Sequence, residues 1–131
     1  MGTLGGFFSE ALGVADDGTG AGTAENSDFN SRAVRLTLAG LDDLGTLGGD
    51  FSEGSDISAD GLVLVGGARN ASNRTRAFRW TQAGGMQDLG QLIGPLSFAT
   101  SVDASGATVA GWGVDASART LAFRWTPASG M

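Results

Sequence analysis

An arginine recurs at one place in three stretches of this chain. It is Arg35 in Arg32-Ala-Val-Arg-Leu-Thr37, Arg79 in Arg76-Ala-Phe-Arg-Trp-Thr81 and Arg124 in Leu121-Ala-Phe-Arg-Trp-Thr126. Three equivalent guanidinium groups could face a central cavity and grip a carboxylate or phosphate, since the planar fork binds such groups at two points. They could instead staple strands together by pairing with a repeat carboxylate such as Asp43 or Asp88. The staple is the expected use, because a net-acidic chain supplies the partners. A second pattern, Asp56-x-Ser58-x-Asp60-Gly61, has the alternating oxygens and turn glycine that open a calcium loop. Ser101-x-Asp103-x-Ser105-Gly106 repeats it with fewer charges, while Asp16-Asp17-Gly18 breaks the spacing. Position twelve would be Gly67 and not a bidentate glutamate, so an ordinary hairpin turn is expected and no metal site is assigned. Among the tryptophans, Trp80 and Trp125 hold repeat positions suited to packing. Trp112 stands where the repeat has Gly67, which makes it the tryptophan best placed for a ligand or partner.

Catalysis has little to work with. The chain has no histidine and no cysteine, and its eight basic residues are all arginine. The commonest general base and metal ligand is therefore missing. Any serine nucleophile would need a carboxylate base, and no spacing marks one. The pairs Asp16-Asp17 and Asp42-Asp43 lie at turns, and nothing identifies a glycosidase dyad. No catalytic residue and no cofactor is assigned. A net charge of −6 repels nucleic-acid phosphates and anionic membranes. The most apolar run, Leu62-Val-Leu-Val65, is far short of a membrane span. The first residues show neither a basic region nor an apolar core, so no signal peptide is read there.

The elements that must carry these residues are set by a repeat. Trp80 and Trp125 lie 45 residues apart (125 − 80), as do Met86 and Met131 (131 − 86). The units run approximately over 2–41, 42–86 and 87–131, within a single domain of 1–131. Asp43-Leu-Gly-Thr-Leu47 falls on Asp88-Leu-Gly-Gln-Leu92, Ser52 on Ser97, and Ile57 on Val102. The first unit is less faithful. Its Thr19-Gly-Ala-Gly-Thr-Ala24 stands where the second has Leu62-Val-Leu-Val65, so that strand is expected to be the weakest of its kind. In the second unit the expected strands are roughly 53–59, 62–68, 76–81 and 86–92. Asp60-Gly61 supplies a hairpin turn, and Phe78 and Trp80 share one face. Four short strands in each unit of about 45 residues is the pattern of a propeller blade.

The fold class expected is thus all-β: about three four-stranded antiparallel blades, β-propeller-like, partial or completed into a ring by oligomerisation. The alternative is a β-trefoil. Because Met131 stops where a fourth strand should begin, residues 2–6 are expected to pair with strand 121–126, within or between chains.

These motifs resemble the HAF-repeat family, described as extracellular repeat proteins. The residues that carry the resemblance are Ala77-Phe78, Trp80, Gly85-Met86, Asp88-Leu89-Gly90, Gly45-Thr-Leu-Gly-Gly49, Ser52, Asp60-Gly61 and Val63-Leu-Val-Gly66. It covers essentially the whole chain. Arg32, Arg76 and Leu121 occupy the place of the histidine that names the family, so no role is carried over to it. The resemblance implies propeller-like repeats in secreted or surface-displayed proteins, with no reaction assigned to the repeat. The function expected is a non-enzymatic scaffold or binding platform. The alternative is a lectin-like binder of carbohydrates or small anions, or a glycosidase-like enzyme, using a cavity between repeats. Arg79, Arg124, Arg35 and Trp112 are the candidate ligand-binding residues. The partners expected are a protein or carbohydrate ligand, a second copy of the chain, or the rest of a longer array.

Overall fold

Short runs of alternating small, β-branched and aromatic residues, cut by Asp-Gly and Asn-rich turns, give strands and no helix among the described residues. The computed structural model describes residues 2–90 and 94–131. The first sheet holds β1 (Gly5–Val14), β2 (Gly20–Asn26), β3 (Ser31–Thr37) and β4 (Gly40–Asp43). The second holds β5 (Gly48–Ile57), β6 (Val63–Asn70), β7 (Thr75–Thr81) and β8 (Gly85–Asp88). The third holds β9 (Ser97–Val102), β10 (Val109–Val114) and β11 (Thr120–Trp125). Each sheet is antiparallel with its strands in sequential order. Three separate up-and-down sheets are a blade-like arrangement; among the described residues no strands are shared in the common core that a β-trefoil needs.

The repeat persists down to register. Each unit has an extra residue in its first strand at the same place, between Ala11 and Gly13, between Gly54 and Asp56, and between Ala99 and Ser101, and the first two units share an earlier shift as well, between Gly5 and Ser9 and between Gly48 and Ser52. Such a bulge bends the strand and increases its twist.

Apolar side chains are buried between sheets rather than within one centre. Ala15, Ala21, Ala33, Leu44, Ile57, Leu64, Ala68 and Phe78 form one core, with Leu47, Trp80 and Met86 against it. Val63, Val65, Ala77, Leu89, Ala99, Val109, Phe123 and Trp125 form the other, with Val102 and Met131 beside it. Phe78, Phe123 and Trp125 are buried, and Trp80 is half-buried. The aromatic positions of the repeat therefore do what their spacing predicts. The leucine of each Asp-Leu-Gly motif, Leu44 or Leu89, is buried in the same junction.

Two expectations change. The first strand of the second unit begins at Gly48, and the fourth ends at Asp88. The sheets therefore divide after Asp43 and Asp88, and the Asp-Leu-Gly motif leads out of one sheet into the next. The expected reach of the fourth strand to Leu92, and the pairing of Leu92 with Leu47 in the repeat, lie outside the described residues. Within the chain, residues 2–6 do not complete the third sheet. Leu4 and Gly5 pair with Asn26 at the end of β2, as Leu47 and Gly48 pair with Asn70. The Gly-Thr-Leu-Gly-Gly segment is the entry to a first strand, because its threonine hydroxyl turns the chain by bonding the carbonyl three residues on (Thr3 to Gly6, Thr46 to Gly49). The glycine- and alanine-rich β2 forms as a regular strand, with Gly20 to Ala24 buried. Its small residues let neighbouring backbone approach: a Cβ on Gly22 would overlap the Glu10 carbonyl oxygen.

Candidate functional site

The polar residues of the repeat meet at the two junctions between sheets. Ser52, on the first strand of the second sheet, accepts the Ala33 N–H of the first sheet at 2.9 Å. Its hydroxyl donates to the Gly45 carbonyl at 2.6 Å, in the segment that joins the sheets. Ser97 does the same one repeat later, accepting from Ala77 N–H and donating to Gly90 O, both at 3.0 Å. Both serines are fully buried. Gly45 and Gly90 can present those carbonyls because they turn with φ of 78° and 92°, each held by the Asp two residues before it. The turns between first and second strands add a backbone ladder. Asp16 N–H donates to Ala59 O at 2.9 Å, and Ala59 N–H donates to Ala104 O at 3.2 Å. Asp56 reaches across as well, its Oδ2 accepting the Val102 N–H at 2.9 Å.

The repeat arginines lie on the third strand of each sheet, and Arg35 and Arg79 reach toward the following sheet. Arg35 pairs with Asp42, its Nη2 2.9 Å from Oδ2. It also donates to Gln82 at 3.4 Å and lies over the Trp80 ring at 5.4 Å. Arg79 donates from Nε to the Gly106 carbonyl at 3.0 Å. Arg124 is exposed. The partners are thus Asp42 and a carbonyl, not Asp43 or Asp88. Those two carboxylates hold the turns at Gly45 and Gly90, and Asp43 lies 3.9 Å from Arg32. Arg76, the equivalent of Arg32, is buried.

The calcium-like pattern does not converge. Asp60 accepts from Ser58 and from the Leu62 N–H of its own turn, while Asp56 faces the third sheet. No cluster of three metal-ligating side chains occurs among the described residues. The turn carboxylates are tuned to hold turns. Hydrogen bonds from Ser58 and the Leu62 N–H lower the pKa of Asp60, and bonds led by the Thr108 N–H lower that of Asp103. Glu53 moves the other way, raised first by burial and then by the Glu10 carboxylate.

Trp112 is 37% exposed and stacks on Phe98, with centroids 5.9 Å apart and planes 7° from parallel. The four sequence candidates are therefore distributed along the sheets: Arg35 and Arg79 are engaged at junctions, while Arg124 and Trp112 belong to the third sheet. Arg35 also borders an open cleft of about 400 Å³ with Leu62, Val63, Thr81, Gln82 and Ala83. A second cleft of about 410 Å³ is lined by Asp17, Gly18, Thr19, Thr37, Leu38 and Ala39.

Two structural sets escaped the sequence reading. The serine staple was visible only as the alignment of Ser52 with Ser97. Its partner is a backbone N–H some 19 or 20 residues away, which no side-chain spacing reports. The second set is Asn26, Asn70 and Asp115, each accepting two backbone N–H groups across the turn between second and third strands. The turn residue three positions on has positive φ each time: Phe29, Asn73 and Ala118.

A scan against protein-family models finds no match, and neither does a search of the curated proteins. Among solved structures the chain is similar to TolB from Acinetobacter baumannii, with a TM-score of 0.69 and 15% identity. The match covers 92% of this chain and 30% of that one. TolB has a β-propeller-type fold, and the likeness extends to fold alone. The three sheets are propeller-like and do not form a closed ring.

Proposed function

We propose that this chain is a non-enzymatic repeat module that works as a scaffold or binding platform. The observation that carries this reading is where the repeat's polar groups are spent. Ser52, Ser97, Asp43, Asp88, Arg35 and Arg79 each hold a turn or tie a sheet to its neighbour. A catalytic or ligand-gripping set needs convergent groups with free valences. The resemblance to HAF repeats supports placing the module outside the cell or on its surface.

Thermal unfolding with millimolar panels of sugars, oligosaccharides and small anions tests the proposal. A scaffold keeps one Tm across the panel, because only a ligand of the folded state raises it. A rise of several degrees with one class, lost in both Arg35→Ala and Trp112→Ala, would replace the scaffold by a ligand-binding domain. Protease shaving of intact cells that make the protein tests the location: a surface module is cut while cytoplasmic markers remain whole.

A further inference from the structure

The two junctions follow one rule, and the two outer faces of the molecule carry its unmatched halves. At a junction, the first-strand serine accepts an N–H from the third-strand alanine of the preceding sheet. At the second junction a third-strand arginine, Arg79, also donates to the turn carbonyl of the following sheet at Gly106, whereas Arg35 at the first reaches Asp42 and Gln82. Each turn N–H donates to the carbonyl of the next turn, from Asp16 to Ala59 and from Ala59 to Ala104. On the face of β1 the serine of the set is Ser9, exposed and without a preceding alanine. On the face of the third sheet, Ala122, Arg124 and Ala104 are exposed, and no further sheet covers them among the described residues.

The apolar surface divides the same way. Val14 is 74% exposed, whereas Ile57, at the same repeat position, is 5% exposed within a junction. Phe7, Phe8 and Leu12 are also exposed along β1, and Trp112 and Leu121 on the third sheet. One strand carrying Phe7, Phe8, Leu12 and Val14 in the open is a strong sign of an interaction surface.

We infer that the β1 face docks on the β10–β11 face of a second copy of this chain, head to tail, forming a third junction of the kind already present twice. The register follows from the repeat: Ser9 Oγ accepts Ala122 N–H, Gly18 O accepts Arg124, and Asp16 O accepts Ala104 N–H. Val14 is covered as Ile57 is. The two docking patches differ, so the contact is heterologous: two copies close into a ring of six sheets, or further copies extend the array. This inference rests on the junction geometry and not on the scaffold proposal.

Sedimentation equilibrium on the full chain tests it. The expected mass is twice the 13.1 kDa of the chain, or a larger multiple. A mass of one chain at every concentration up to hundreds of micromolar overturns the inference. Val14→Asp blocks one patch and Arg124→Glu the other, and both side chains are exposed, so each variant keeps its fold by circular dichroism. Each variant alone is expected to be monomeric, while their equimolar mixture doubles in mass, because one intact pair of patches remains. If either variant alone still dimerises, or the mixture stays monomeric, head-to-tail docking is wrong.

Discussion

The serine at the start of each later sheet does two jobs with one hydroxyl. It satisfies a buried N–H of the sheet before it and a carbonyl of the linker. Removing it strands both, and a buried unsatisfied group costs about 1–3 kcal/mol. Ser97→Ala should therefore lower stability by about that amount in urea titration, at unchanged m-value. Ser9→Ala removes a hydroxyl that bonds only Gly2 and is exposed, so the isolated monomer should lose less than about 0.5 kcal/mol. Equal losses for the two variants would remove the junction role. Sequence spacing identified the positions but not this use, because the partner is main chain. It identified the arginines as staples and misassigned their partners. Asp43 and Asp88 sit two residues before a glycine that must turn, and holding that turn uses them locally.

Strand assignments were the most legible part of the chain, because alternation and Asp-Gly or Asn-rich turns act locally. The ends were less legible. The first strand starts at the Gly-Thr-Leu-Gly-Gly entry, and the bulge that follows is invisible to a period of two. That bulge explains a repeated glycine on the second strand. At Gly66 a Cβ would overlap the Glu53 carbonyl oxygen and press on Phe78. The equivalent Gly22 and Gly111 meet Glu10 and Phe98 carbonyls in the same way. Gly66→Ala should thus destabilise by about 1–3 kcal/mol through forced backbone shifts, despite alanine's better strand propensity. A Tm equal to or above that of the parent chain would show that the strands can move apart freely.

At the scale of the molecule, stability should depend on pH through two opposed sets of carboxylates. Asp17, Asp60, Asp103 and Asp115 have pKa values lowered by hydrogen bonds in the folded state. Their contribution is complete above the ordinary Asp value of about 3.9 and is lost as pH falls through the lowered folded values. Glu53 is raised, so its penalty is absent below the ordinary Glu value of about 4.3 and grows as pH rises through the folded value. Tm should be highest near pH 5, fall below about pH 4, and ease toward neutrality. Glu53→Gln should raise Tm at pH 7 and leave it unchanged at pH 3; a gain of equal size at both would dissociate Glu53 from the neutral-side decline. Overall architecture was legible because the repeat sets it. The count of sheets followed from the 45-residue spacing, and burial of the repeat aromatics followed from strand alternation. What each outer face does was not legible, because exposure of Val14 against burial of Ile57 is a property of neighbours and not of residue type.

Both junctions use a serine from the later unit and an alanine, a leucine and a glycine carbonyl from the earlier unit and its exit. A joint built the same way each time makes the units interchangeable. Tandem duplication or deletion of a whole unit, with breakpoints at corresponding places in the two linkers, leaves every remaining joint with its full set of partners. Such a gene can change length by unequal crossing-over without passing through an unfolded intermediate, whereas a gain or loss of half a unit leaves an orphaned serine or alanine at the seam.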